Sequence, residues 1–343
     1  MLSVACYFPL YSVTGAIKLL PRNWPEQLKA VLNQQIDEPL DELKLRTSIL
    51  CLTTVDNQVS LAVQNQYEEN PYPRWVRLPK DSASKVLNTN MEVLIAGCGT
   101  GQHPIGTALR IKGAKILAID LSMASLAYAK RKTIELGIES IEYAQADILK
   151  LASLGRTFDI IESSGVLHHL ENPFEGWKVL LSLLRPTGLM KLGFYSDLAR
   201  RDIVKVRDMI KQQRIGSSSQ DIRNYRQYLF KFRNAEDLGL ATSSTDFFST
   251  SSCRDLLFHV QEHRMNLNIL AQFFKDHELN FLGFEIDSSV IQDYKNRFPN
   301  DSLATNLEQW LIYEEENPDT FIGMYQFWVQ KKSIPIELGL NSI

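Results

Sequence analysis

The chain has 343 residues, 44% of them hydrophobic and 22% charged, with a formal net charge of −3. That balance excludes global disorder and a broad nucleic-acid footprint, and the length allows one large domain with additions, or two. No run of about eighteen apolar residues is present to span a membrane. The cysteines, Cys6, Cys51, Cys98 and Cys253, are scattered with no C-x-x-C pair. They point to reduced thiols in a cytoplasmic protein, not to a zinc knuckle or a disulfide framework. Residues 1–10 lack a basic region ahead of an apolar core and read as structure, not as a targeting segment. The basic run Arg200, Arg201, Lys205 and Arg207 reads as a solvated helix face.

Residues 1–60 read as mostly helical, with Pro25 near a helix start and apolar residues at helical spacing over 25–32. Tyr67-Glu68-Glu69-Asn70-Pro71-Tyr72-Pro73-Arg74-Trp75 carries two prolines and is expected to be extended or turned. From Met91 onward strands and helices alternate, which implies a parallel sheet covered on both faces. Strands are expected over 93–96, 116–119, 141–143, 158–163 and 189–194, with helices to 111, over 122–136 capped by Ser122, and over 173–184. The rhythm then stops. Residues 196–265 are polar and helix-leaning, broken by Gly216-Ser217-Ser218-Ser219, and read as an insertion. A helix over 267–277 and strands over 281–286 and 324–329 complete seven strands. The expected divisions are an N-terminal arm 1–90, a cofactor core 91–195, a substrate-capping insertion 196–265, the end of the sheet 266–332 and a tail 333–343.

The turn Gly97-Cys98-Gly99-Thr100-Gly101 lies between a strand and a helix, where glycines let backbone approach a ligand closely. Asp120 follows at the end of the next expected strand, where a carboxylate can accept ribose hydroxyls. A dinucleotide fold uses the same turn and acid, but its third glycine falls where this chain has Gln102.

The turn resembles the glycine motif of class I methyltransferases. Asp120, Ala146-Asp147-Ile148 and Gly165-Val166-Leu167-His168-His169-Leu170 resemble that family's later motifs, and Leu184-Arg185-Pro186-Thr187-Gly188 the turn before its fifth strand. The likeness covers residues 91–195, and the last two strands more loosely. It implies a Rossmann-like seven-stranded α/β fold with a helical N-terminal arm and a long helical insertion after the fifth strand. It also implies S-adenosylmethionine as cofactor, with Asp120 and Leu121 at the ribose, Asp147 and Ile148 at the adenine, and Gly97, Cys98, Gly99, Thr100 and Gly101 near the methionine part. Many relatives carry an acid in the strand where this chain has Ile95-Ala96. Tyr72 and Arg74 are therefore candidates to hold the amino-acid end. Their segment resembles one found in a bacterial subgroup, some members of which are fused to tetratricopeptide repeats.

Methyl transfer needs a base only if the acceptor must lose a proton. Candidates are Glu162 and His168, leaving the fourth strand, and Asp246, His259 and His263 in the insertion, while Tyr195 and Arg200, after the fifth strand, are placed to contact the substrate. On a helix, His259 and His263 would share one face. The string also matches His-x-x-Glu-His, but no third ligand is visible and no metal is expected. The expected partner is a small-molecule or peptide methyl acceptor at an O or N atom, with nothing in the sequence specifying an oligomeric state. A catalytically silent cofactor-binding module and a nicotinamide-type oxidoreductase are the competing readings.

Overall fold

The computed structural model describes residues 1–78, 87–88, 90–231 and 239–332, so the expected tail 333–343 lies outside the described residues. One sheet organises the chain. Its strands are β1 (Leu50–Cys51), β2 (Glu92–Ala96), β3 (Lys115–Asp120), β4 (Ile141–Gln145), β5 (Phe158–Ser164), β6 (Leu184–Phe194), β7 (Leu279–Phe284) and β8 (Tyr325–Lys331). They lie in the order β1-β4-β3-β2-β5-β6-β8-β7, and a separate short pair joins Leu87–Asn88 to Ile111–Lys112. The sheet therefore has eight strands, not seven. The extra one, β1, pairs parallel to β4 with Leu50 opposite Ala144, and at two exposed residues it has no alternation to mark it. Strands β1 to β6 run parallel, and β8 lies antiparallel between β6 and β7.

The central strands are apolar because both faces are covered. Val93, Leu94, Ile95 and Ala96 are all fully buried. One face packs against α6 (Pro173–Leu183) and α10 (Leu267–Asp276), where the Trp177 and Phe273 rings stack at 4.0 Å. The other face packs Ile95, Ile116 and Ala118 against Leu126 and Ala127 of α5 (Met123–Glu135), whose N-cap is Ser122. Between β7 and β8, α11 (Ser288–Arg297) and α12 (Leu307–Glu316) occupy a stretch that shows no clear pattern in sequence, and Trp310 anchors them in the core. β6 starts at Leu184, so the Arg185-Pro186-Thr187-Gly188 turn belongs to the strand.

Helices α7 (Arg201–Gln212), α8 (Ser219–Lys231) and α9 (Thr250–Phe258) follow β6 and bury their own apolar cluster, including Val206, Ile222, Phe247 and Leu257. Arg200 and Arg207 do not form a solvated face. Both turn inward onto Glu262, at 2.7 and 3.0 Å.

Ahead of the sheet lie α1 (Glu26–Leu32), α2 (Glu38–Leu45) and α3 (Gln58–Glu69). Arg131 of α5 ties down α2 through Glu38 and Glu42, at 3.0 and 2.9 Å. Glu68 of α3 accepts from Ala124 N, at 3.0 Å, at the positive N-terminus of α5. Tyr67, Glu68 and Glu69, expected to be extended or turned, instead end α3, and the segment after them is fastened to the glycine turn. Trp75 Nε1 donates to the Thr100 carbonyl at 3.1 Å, and Thr100 Oγ1 donates to the Pro73 carbonyl. Trp75 is buried beside Ile105 of α4 (Gln102–Arg110), the helix that follows the glycine turn, and Tyr128. Replacing it should cost about 3 kcal/mol. Urea denaturation of Trp75→Ala checks this, and an unchanged midpoint would mean that the segment is not anchored there.

Candidate active site

The sheet's strand sequence departs in opposite directions on either side of the β2–β5 pair, and such a switch point opens a crevice at the C-terminal strand ends. A cavity of about 280 Å³ occupies it. The turn after β2 forms its floor. The amides of Gly97 and Cys98 both donate to the Ile119 carbonyl, at 2.9 and 2.8 Å, which locks the turn to the end of β3. Gly99 has φ +50°, and a Cβ there would sit 2.8 Å from the Tyr72 carbonyl oxygen, so only glycine lets the 67–75 segment close over the turn.

Asp120 ends β3 with both oxygens engaged: Oδ2 accepts from Gly99 N at 2.8 Å and Oδ1 from Ser122 N at 2.9 Å. Burial pushes its carboxyl up, and those amides act against the rise. Each carboxylate oxygen keeps a further lone pair for a ligand hydroxyl. Beyond β4, Asp147 Oδ1 accepts from Leu149 N at 3.0 Å, while Oδ2 is buried without a partner. The hydroxyls of Ser125 and Ser164, also in the cavity lining, are buried and unpartnered too. Buried orphan groups of this kind are costly, and an aromatic amine and hydroxyl-rich ligand would satisfy them. Leu121, Ile148 and Leu170 add apolar surface beside Asp147. These residues fit S-adenosylmethionine.

The same lining carries Tyr67, Tyr72, His169, Tyr195 and Asp255. His169 Nδ1 lies 2.7 Å from the Gln261 carbonyl, which only accepts, so this nitrogen carries the proton and Nε2 has the lone pair. Burial pushes His169 down to about 4. The His259 ring stacks on it, with centroids 3.6 Å apart and planes at 14°. Ligand atoms of His169, Asp255 and His259 all lie within 4.8 Å of one another. Parallel stacked rings prevent one ion from lying in both ring planes, so the cluster suits hydrogen bonding rather than metal ligation.

The cavity lining thus joins Tyr72, Gly97, Cys98, Gly99, Asp120, Leu121, Asp147 and Ile148 from the sequence-based set. Thr100, Gly101 and Arg74 lie outside it. Gly101 packs on α5, where a Cβ would meet Ala129 Cβ at 2.6 Å, and Arg74 lines a separate groove with Glu38 and Glu42. His168 lies outside the lining, buried with its ring 4.3 Å from that of Tyr195, and the next residue, His169, lines the cavity instead. His259 and His263 do not share a helix face. α9 ends at Phe258, and the chain then runs extended alongside the end of β6, with Met265 N donating to Tyr195 O at 2.9 Å. His263 Nε2 lies 2.8 Å from Gln261 Nε2 and 3.1 Å from the Glu171 carbonyl, outside the lining. Asp246 also lies outside and accepts from Tyr72 Oη at 3.2 Å. Glu162 lies behind the wall, bonded to His103 and, at 3.1 Å, to Thr107.

A nucleotide-type cofactor crevice on a parallel sheet with an antiparallel penultimate strand defines the class, and comparison with known proteins narrows it. Residues 93–188 match the methyltransferase domain family. The chain is 28% identical to an uncharacterized Synechococcus protein over 71% of its own length and 61% of that protein. It is 31% identical to the ubiquinone biosynthesis O-methyltransferase of Azotobacter vinelandii over 32% of the chain and 45% of that enzyme. The fold resembles PKMT2 from Rickettsia typhi, solved in complex with AdoHcy, with a TM-score of 0.54 at 17% identity, covering 72% of this chain and 50% of that one. The chain therefore spans about half to three-fifths of the length of these proteins. Residues 93–188 thus form a methyltransferase domain, whose cofactor is S-adenosylmethionine.

Glu162 yields a pH prediction. Burial opposes its ionisation, but the bond and charge of His103, with Arg110 and Lys191, outweigh this and hold the carboxyl at about 2. A depressed carboxyl stabilises the fold fully above its unfolded pKa and loses that contribution as pH falls through the folded value. Glu162→Gln should therefore be less stable than the parent at neutral pH, with the gap closing between about pH 4.5 and about pH 2. Denaturation midpoints across that range check it, and a gap independent of pH would contradict it.

Proposed function

We propose that the chain transfers the methyl group of S-adenosylmethionine to an oxygen or nitrogen atom of a small molecule or peptide. The observation that carries this reading is a single cavity lining that brings cofactor-type groups, Gly99, Asp120 and the unpartnered Asp147 Oδ2, together with His169, Tyr195 and Asp255. Asp120 would accept the ribose hydroxyls, Asp147 the adenine amino group, and Tyr72 with the glycine turn would flank the amino-acid end. Residues 196–265, with the N-terminal arm, would cap the acceptor side, and the 67–75 segment would place the chain in the bacterial subgroup it resembles.

When bound, S-adenosylmethionine supplies a methyl group on a positively charged sulfur, open to in-line displacement. The protein's own task is to position the acceptor, exclude water and remove a proton. His169 is best suited to the last. The Gln261 carbonyl fixes its proton on Nδ1, and the Nε2 lone pair belongs to a ring lining the cavity.

His169→Gln should lower turnover by about 100-fold or more while leaving S-adenosylhomocysteine affinity nearly unchanged. Release of S-adenosylhomocysteine with panels of amines, phenols and carboxylates checks it. Equal loss of turnover and affinity would assign His169 to folding, and no turnover by the parent on any acceptor would count against methyl transfer.

A further inference from the structure

Asp255 is a carboxylate 6% exposed in the wall of the cavity, at the last turn of α9. A directed chain of donors ends on it. The amide of Gln261 donates to His259 Nδ1 at 3.1 Å, so the neutral ring holds its proton on Nε2 and donates to Tyr67 Oη, also at 3.1 Å. Tyr67 Oη then donates to Asp255 Oδ1 at 2.6 Å. Donors polarised in one direction stabilise negative charge at the terminus. Among the described residues no lysine or arginine forms a salt bridge with Asp255, and the neighbouring guanidinium groups, Arg200 and Arg207, close on Glu262 at 2.7 and 3.0 Å. Arg207 also donates to the backbone carbonyls of Asp255 and Leu256, at 3.1 and 2.9 Å. A buried carboxylate without a contacting cation is costly, and a cationic ligand removes that cost.

We propose that Asp255, with Tyr67, Tyr72 and Tyr195 beside it in the cavity lining, binds the protonated nitrogen of the acceptor, so that the substrate is an amine rather than an alcohol or a carboxylate. The inference rests on the methyl-transfer reading above and narrows it. In the reaction the ammonium gives one proton to His169 Nε2. The freed nitrogen lone pair forms the N–C bond to the methyl carbon as the C–S bond breaks, with its electron pair staying on sulfur. The imidazolium then lies beside Asp255, whose ligand oxygen is within 4.8 Å of the His169 nitrogen. The product nitrogen carries positive charge as a methylammonium, so the carboxylate then faces both that cation and the imidazolium until the ring's proton passes to solvent.

The test uses the full chain saturated with S-adenosylhomocysteine and titrated calorimetrically with n-butylamine and with n-butanol, a neutral probe of the same shape. The amine should bind at least about tenfold tighter. Asp255→Asn, with thermal melting and S-adenosylhomocysteine affinity preserved, should erase that preference, and Tyr67→Phe should reduce it. Equal binding of the two probes to the parent chain overturns the proposal without any variant. A preference that survives in Asp255→Asn overturns it as well. A third result assigns Asp255 to the cofactor's own sulfonium instead: no response to n-butylamine, with Asp255→Asn losing selectivity for S-adenosylmethionine over S-adenosylhomocysteine. If the parent chain does not bind S-adenosylhomocysteine, the methyl-transfer reading falls first and takes this inference with it.

Discussion

The carboxylate of Asp120 is the constraint on which the site depends. Through Gly99 N and Ser122 N it ties together the turn after β2, the end of β3 and the first turn of α5. The glycine turn must then lie flat enough for the Tyr72 carbonyl to rest against Gly99, and the 67–75 segment is held in place by Trp75 and Thr100. A cofactor pocket assembled this way has a rigid floor from the sheet and a lid from a part of the chain that precedes it. Such an arrangement orients a ligand chiefly through backbone and buried carboxylates, groups that lose little freedom on binding.

The histidine cluster around Asp255 has a different character. His168, His169 and His259 are all pushed down by burial, and Asp255 is pushed up to about 6. The histidines are therefore neutral at ordinary pH, and the polar contacts among them are those of uncharged rings. Arg200, stacked on Tyr195 at 3.6 Å, and Arg207 supply positive charge behind the wall, balanced by Glu262. Charge is thus sequestered behind the lining, and the carboxylate of Asp255 is presented at its surface.

The cofactor half of this account was legible in sequence because the signals are local. A glycine turn, an acid at the next strand end and Asp147 after the following strand each follow from strand–turn–helix order within residues 93–148. Of the acceptor half, sequence order pointed to Tyr195, just after the fifth core strand, and to little else. Tyr67 and Asp255 meet across 188 positions of sequence, and no spacing rule connects a helix ahead of the sheet to one inserted after β6. The choice between His168 and His169 turns on one residue of rotation in a short turn, which periodicity cannot resolve. His259 to His263 suggested a helix because its composition permits one. Pairing of Met265 with Tyr195 draws the stretch into extended form instead, a tertiary contact overriding local preference. The edge strand β1 escaped for the opposite reason, being too short to carry any pattern.

The central claim is that the crevice at β2, β3 and β4 holds S-adenosylmethionine through Asp120. Calorimetric titration of the purified chain with S-adenosylhomocysteine, with NAD titrated in parallel, tests it most directly. The account predicts micromolar binding of S-adenosylhomocysteine, no comparable binding of NAD, and at least about a hundredfold loss in Asp120→Ala, since two charge-assisted hydrogen bonds would go. Preference for NAD, or an Asp120→Ala variant that binds as the parent does, would contradict it.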